Sequence, residues 1–126
     1  MRSWGRKFAQ TLKPRDVVAF VGPLGAGKTT LIQGIAEGWG CRNAAVSPTF
    51  SLANEYQSKR GYLFHMDMYR LSDREVETFP LEDYLEQGVC LIEWADRIRD
   101  RWPSKTKIIK LEYIGERKRR LTLKEK

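Results

Sequence analysis

The sequence predicts an α/β domain of three layers, with a mixed, mainly parallel central sheet and antiparallel strands at its C-terminal end. Three observations predict it. Asp16 to Val21 and Gly88 to Ile92 are nearly continuous apolar runs bounded by turn residues, the pattern of strands buried on both faces of a parallel sheet. Segments of helical period separate these runs. Near the C-terminus, Ile109, Leu111 and Tyr113, and then Leu121 and Leu123, alternate with polar residues, as half-covered strands do.

Taken in order, Ser3 to Leu12 places Trp4, Phe8 and Leu12 at helical spacing, and Pro14 ends that helix. Asp16 to Val21 is the first buried strand. A glycine-rich loop follows, then a helix from about Lys28 whose apolar face is Leu31, Ile32, Ile35, Ala36 and Trp39, with Gly38 and Gly40 marking its end. Ser51 to Gln57 and Tyr62 to Met68 read as strands joined by the turn Ser58-Lys59-Arg60-Gly61. Leu71 to Gln87 is helical and broken at Pro80. The buried strand Gly88 to Ile92 ends at Glu93-Trp94, and Ala95 to Arg101 forms a short helix stopped before Pro103. Two last strands flank a turn at Gly115-Glu116. No repeat, linker or low-complexity stretch interrupts the pattern, and the expectation is one domain over residues 1–126.

Composition narrows the class. With 41% apolar and 31% charged residues, the chain suits a globular fold rather than a disordered one. No apolar stretch reaches the ~18 residues of a membrane span, and Trp4 to Leu12 is too polar for the core of a signal peptide. Cys41 and Cys90 are far apart and form no C-x-x-C pair, which points to structural thiols in a reducing, cytoplasmic setting. The net charge of +7 favours acidic partners such as nucleotide phosphates, nucleic acid or an acidic protein surface. The excess gathers in Arg117 to Arg120, Lys124 and Lys126, which read either as a solvated edge strand guarded by charge or as a contact with a polyanion.

The most specific local signal is Gly22-Pro23-Leu24-Gly25-Ala26-Gly27-Lys28-Thr29, a match to G-x-x-x-x-G-K-[ST] between a buried strand and an amphipathic helix. Gly25, Ala26 and Gly27 would let backbone N–H groups turn inward around a phosphate, and the helix start would add partial positive charge. Lys28 would reach the terminal phosphates, and the Thr29 hydroxyl would bind Mg²⁺. A P-loop NTPase-like domain binding a nucleoside triphosphate with Mg²⁺ is therefore expected. Such a site also needs a second Mg²⁺ anchor and a group that positions the attacking water. Two acids qualify: Glu93, after the cleaner apolar run, and Asp67, within Tyr62 to Met68. His65, the sole histidine, shares a strand face with Asp67 and reads as a structural residue rather than a catalyst. Ser47-Pro48-Thr49 falls where P-loop proteins sense the terminal phosphate, so Thr49 is a candidate switch residue.

Together these segments resemble the TsaE family (older name YjeE), bacterial ATPases of tRNA threonylcarbamoyladenosine synthesis. The likeness rests on Gly22 to Thr30, Ser47-Pro-Thr-Phe-Ser-Leu52, His65-Met-Asp-Met-Tyr-Arg-Leu71 and Ile92-Glu-Trp-Ala-Asp96, in the family's order and spacing, and it spans about Gly5 to Leu123. The resemblance implies an ATP-hydrolysing subunit, slow alone, that acts with TsaB and TsaD partners, with tRNA reached through that complex. It implies that Lys28 holds phosphates, that Thr29 and Glu93 hold Mg²⁺, and that Asp67 is the second acid near the metal or the water. Thr30 belongs to the matching loop, Trp94 lies beside the nucleotide, and Arg117 matches an arginine that approaches it. Family members usually carry a further N-terminal stretch contributing a contact near the base, whereas only Met1 to Trp4 precede the match here; weaker or differently built base recognition is the expectation. A small-molecule P-loop kinase, with Arg97, Arg99 and Arg101 as a lid, is the alternative. A GTPase is disfavoured because N-K-x-D does not occur.

Overall fold

The computed structural model describes residues 1–21, 28–41, 44–45, 53–116 and 118–126, and at positions 28, 44 and 45 it describes the backbone alone. Seven strands form one sheet among these residues: β1 (Val17–Val21), β2 (Ala44–Ala45), β3 (Asn54–Ser58), β4 (Gly61–Asp67), β5 (Gly88–Glu93), β6 (Lys107–Tyr113) and β7 (Arg119–Glu125), in the order β2-β3-β4-β5-β1-β6-β7. The four central strands run parallel, and the pairs β2–β3, β3–β4 and β6–β7 are antiparallel.

Two helical layers cover the sheet, which explains why β1 and β5 are apolar at nearly every position. Side chains of β1 alternate: Val18 and Phe20 face α1 (Arg2–Ala9) and α2 (Lys28–Trp39), where they meet Phe8, Leu31, Ile35 and Trp39. Val17 and Ala19 point the other way. They join Phe64, Met66, Cys90 and Ile92 under α3 (Asp73–Glu77), α4 (Leu81–Gln87) and the 3₁₀ segment Ala95–Arg101, whose anchors are Val76, Phe79, Leu81, Ile98 and Trp102. The expected helical stretch from Leu71 to Gln87 thus splits at Pro80. Its first half is started by a capping box in which Ser72 and Glu75 satisfy each other's backbone N–H.

The helix α1 lies against α2 through glycine. A Cβ at Gly34 would sit 2.3 Å from the Arg2 carbonyl oxygen, and one at Gly38 would sit 2.4 Å from that of Arg6. Backbones come this close only where no side chain intervenes, so these glycines offset their poor helix propensity by packing. Gly38 and Gly40 mark the end of α2 as the sequence predicts: the helix closes at Trp39, and Gly40 follows with a φ of 98° that suits glycine. The turn between β3 and β4 then ties the helix ends together. Arg60 donates to the carbonyls of Ala9, Leu12 and Gly38 and lies 4.1 Å over the Trp39 ring, while Trp39 Nε1 donates to Gly61.

The outer strand β7 pairs only with β6 among the described residues, and Arg119, Arg120 and Lys124 are exposed on it. Its placement matches the reading as a charge-guarded edge.

Candidate functional site

The site is built where three parallel strands end side by side. Phe20 of β1 is in register with Glu93 of β5, and Glu93 is in register with Asp67 of β4. The strand β1 ends at the next residue, Val21, and α2 begins at Lys28. The strand that leads into the glycine-rich motif therefore finishes beside Glu93, with Asp67 one strand further away. Crevices at the carboxyl ends of parallel strands are where open α/β sheets bind ligands.

Each acid is held differently. Glu93 is only 4% exposed, and strand alternation puts it on the sheet face of Val89 and Leu91. Its Oε2 is hydrogen-bonded to His65 Nε2 on the neighbouring strand. Asp67 is half-buried and caps the 3₁₀ turn Met68–Arg70, its Oδ1 accepting from Tyr69 N–H at 3.0 Å. Together with Ala53, Asn54, Arg70 and Leu71, the residues His65, Asp67 and Glu93 line one open cavity of about 260 Å³.

Directly after Glu93 the chain turns sharply. Trp94 adopts a left-handed conformation at φ 55°, ψ 40°, uncommon for a bulky residue and a frequent mark of functional segments. Its ring is 41% exposed and packs at 4.9 Å from the exposed ring of Tyr69, so a pair of aromatic rings stands next to the two acids.

The sequence-predicted residues fall into two groups. Asp67, Glu93 and Trp94 are brought together at the strand ends. Lys28, Thr29 and Thr30 form the first turn of α2, with the Thr29 side chain exposed and that of Thr30 half-buried. Gly25, Ala26, Gly27, Thr49 and Arg117 lie outside the described residues. Sequence reasoning did not single out Arg70, Tyr69 or Asn54 as site residues. The first two belong to the segment His65 to Leu71, and that membership was the available signal. The arginines proposed as a lid are engaged elsewhere. Arg97 donates to the carbonyls of Met68 and Leu71 and pairs with Asp73, and Arg101 donates to those of Val76 and Phe79 and pairs with Glu82. Arg99 lies over Trp102 and pairs with Asp96.

The donor chemistry fits Mg²⁺. No group of three or more His, Cys, Asp or Glu side chains among the described residues could cage a metal ion. Mg²⁺ does not require one, since it retains waters and is commonly held by one or two carboxylates or a hydroxyl together with substrate phosphates. Two carboxylates at strand ends and threonine hydroxyls at a helix start supply that hard oxygen set.

Comparison with known proteins decides the family: the model described as "Threonylcarbamoyl adenosine biosynthesis protein TsaE" matches residues 1–121. The chain belongs to the TsaE family. It is 43% identical over 111 residues to the Bacillus subtilis protein named tRNA threonylcarbamoyladenosine biosynthesis protein TsaE, an alignment covering 87% of this chain and 70% of that one. A Synechocystis protein of the same name is 40% identical over 100 residues, covering 75% and 64%. The chain thus spans about two thirds of the length of these TsaE relatives. Among solved structures, the crystal structure of Bacillus subtilis YdiB superposes with a TM-score of 0.75 at 35% identity, over 97% of this chain and 76% of that one. The fold is accordingly the P-loop NTPase-like α/β fold of the TsaE family. None of its helices is long and apolar enough to cross a membrane among the described residues.

Proposed function

We propose that the chain binds and hydrolyses Mg²⁺-ATP as the TsaE subunit that supports threonylcarbamoylation of the tRNA adenosine next to the anticodon, working in the cytoplasm with TsaB and TsaD partners. One observation carries the hydrolytic part. Asp67 and Glu93 are in register at the ends of β4 and β5, and Glu93 is level with the end of the strand that enters G-x-x-x-x-G-K-T. The tRNA role rests on membership of the family and on the names of the relatives.

In this reading Lys28 and the backbone N–H groups at the start of α2 hold the terminal phosphates, helped by the helix dipole. The Thr29 hydroxyl and the Glu93 carboxylate hold the metal, and Asp67 orients the attacking water. Bound there, Mg²⁺ would offset the negative charge of the terminal phosphates. Gly25, Ala26, Gly27 and Thr30 complete the phosphate cradle. Thr49 responds to the terminal phosphate, and Trp94 and Arg117 flank the nucleotide. Turnover by the isolated chain is slow and rises with the partners. The kinase alternative loses support because Arg97 and Arg101 brace the segment from Met68 to Glu82 instead of projecting as a lid.

The test is Mg²⁺-dependent phosphate release from ATP by the chain with its partners. Glu93→Gln should lower kcat by about 100-fold or more, while ADP still binds. Undiminished turnover by that variant would refute the assignment, and phosphate transfer to a small acceptor would favour the kinase.

A further inference from the structure

We propose that His65 is a positioning residue that aims the Glu93 carboxylate at the metal, an inference that rests on the reading of Glu93 as a Mg²⁺ ligand. The parallel register pairs His65 with Leu91 and Asp67 with Glu93, so His65 and Glu93 share a sheet face and are diagonal neighbours. The imidazole reaches along that diagonal to Glu93 Oε2. Both side chains are largely enclosed, at 16% and 5% exposure, yet both line the cavity that Asp67 also lines.

Three considerations separate positioning from a mere lock between strands. The strands β4 and β5 are already paired over six residues, so their register needs no side-chain bond. The terminal torsion of a glutamate is broad, so the backbone alone does not decide where its carboxylate plane faces. Glu93 is the last residue of β5, and beyond it the chain leaves the sheet through the left-handed Trp94, so no further strand residue follows to set its direction. A donor on one oxygen then fixes the plane. Outer-shell partners of this kind tune the affinity of metal-binding carboxylates.

The experiment uses the full chain with ADP and Mn²⁺ as the probe, the metal being followed by electron paramagnetic resonance. ADP affinity in EDTA and thermal stability are measured in parallel. His65→Ala should weaken Mn²⁺ binding by about 10-fold or more, with ADP affinity in EDTA unchanged. His65→Gln, whose amide nitrogen reaches as far as Nε2, should restore most of the loss, whereas His65→Asn, whose amide ends short, should not. This Gln and Asn pair decides the matter even if the alanine variant does not fold. Equal Mn²⁺ affinity in the Gln and Asn variants would overturn the proposal, as would an alanine variant that loses stability but keeps its metal affinity. Failure of the unmodified chain to bind ADP and Mn²⁺ would instead overturn the nucleotide-site reading beneath it.

Discussion

Replacing Gly34 by alanine should destabilise the protein, although helix propensity argues the opposite. Alanine in a helix interior is worth about 1 kcal/mol over glycine, so an isolated α2 would gain. In the structure, however, the new Cβ would meet the Arg2 carbonyl oxygen at 2.3 Å and the Arg2 carbonyl carbon and Cα at 3.0 Å. The obstacle is backbone, which cannot swing aside as a flexible side chain would. Ordinary contact at 3.4 Å or more requires α1 to retreat by about 1 Å, loosening Phe8, Ala9 and Leu12, which are at most 5% exposed. Overpacking of this kind costs about 3 kcal/mol at the upper end of its usual range, so the net loss after the propensity gain is about 2 kcal/mol. For a chain of this length that corresponds to a fall in Tm of about 8 °C. Thermal and urea unfolding would measure it, with Gln33→Ala on the exposed face of α2 as the control that should change little. A Gly34→Ala protein as stable as the original, or more stable, would refute the close-approach argument.

Other perturbations probe separate parts of the structure. Arg60→Ala removes three hydrogen bonds to helix-end carbonyls and the stack on Trp39. It should lower the urea midpoint by the equivalent of about 1–2 kcal/mol at an unchanged m-value. The side-chain hydrogen bond from Arg2, aided by Arg6, holds the Glu37 carboxyl below its usual pKa. A carboxylate so depressed adds stability above its unfolded pKa of about 4.3 and loses it as pH falls through the folded value. The stability difference between the protein and Glu37→Gln should therefore be present at neutral pH and vanish on acidification. Burial pushes the Cys90 thiol up to about 12 and the Cys41 thiol to about 11. Iodoacetamide at pH 8 should accordingly label Cys90 only when the protein unfolds, and Cys41 slowly, as mass spectrometry over a denaturant series would reveal.

Much of the sheet was legible because burial on both faces leaves a plain mark. Val17 to Val21 and Val89 to Ile92 had to be central strands, and the acid following the second run had to stand at a strand end. The phosphate motif then indicated which end of the sheet mattered. Less could be read where a residue's purpose depends on a distant partner. The two-residue strand β2 is too short to show any period. Gly38 reads as a helix stop, but its packing against α1 shows only once the path of α1 is known. Arg97 and Arg101 have the spacing of a lid, but their carbonyl partners between Met68 and Phe79 emerge only from the packing of the 3₁₀ segment against α3. His65 looked structural because its link to Glu93 follows from the β4–β5 register, which no local pattern encodes.

The most direct test of the functional reading is reconstituted threonylcarbamoylation of tRNA with the TsaB and TsaD partners, comparing the chain with its Lys28→Ala variant. Sustained modification is expected with the unmodified chain, and only a background level with the variant or with no chain added. Equal modification by Lys28→Ala and the unmodified chain would contradict that reading.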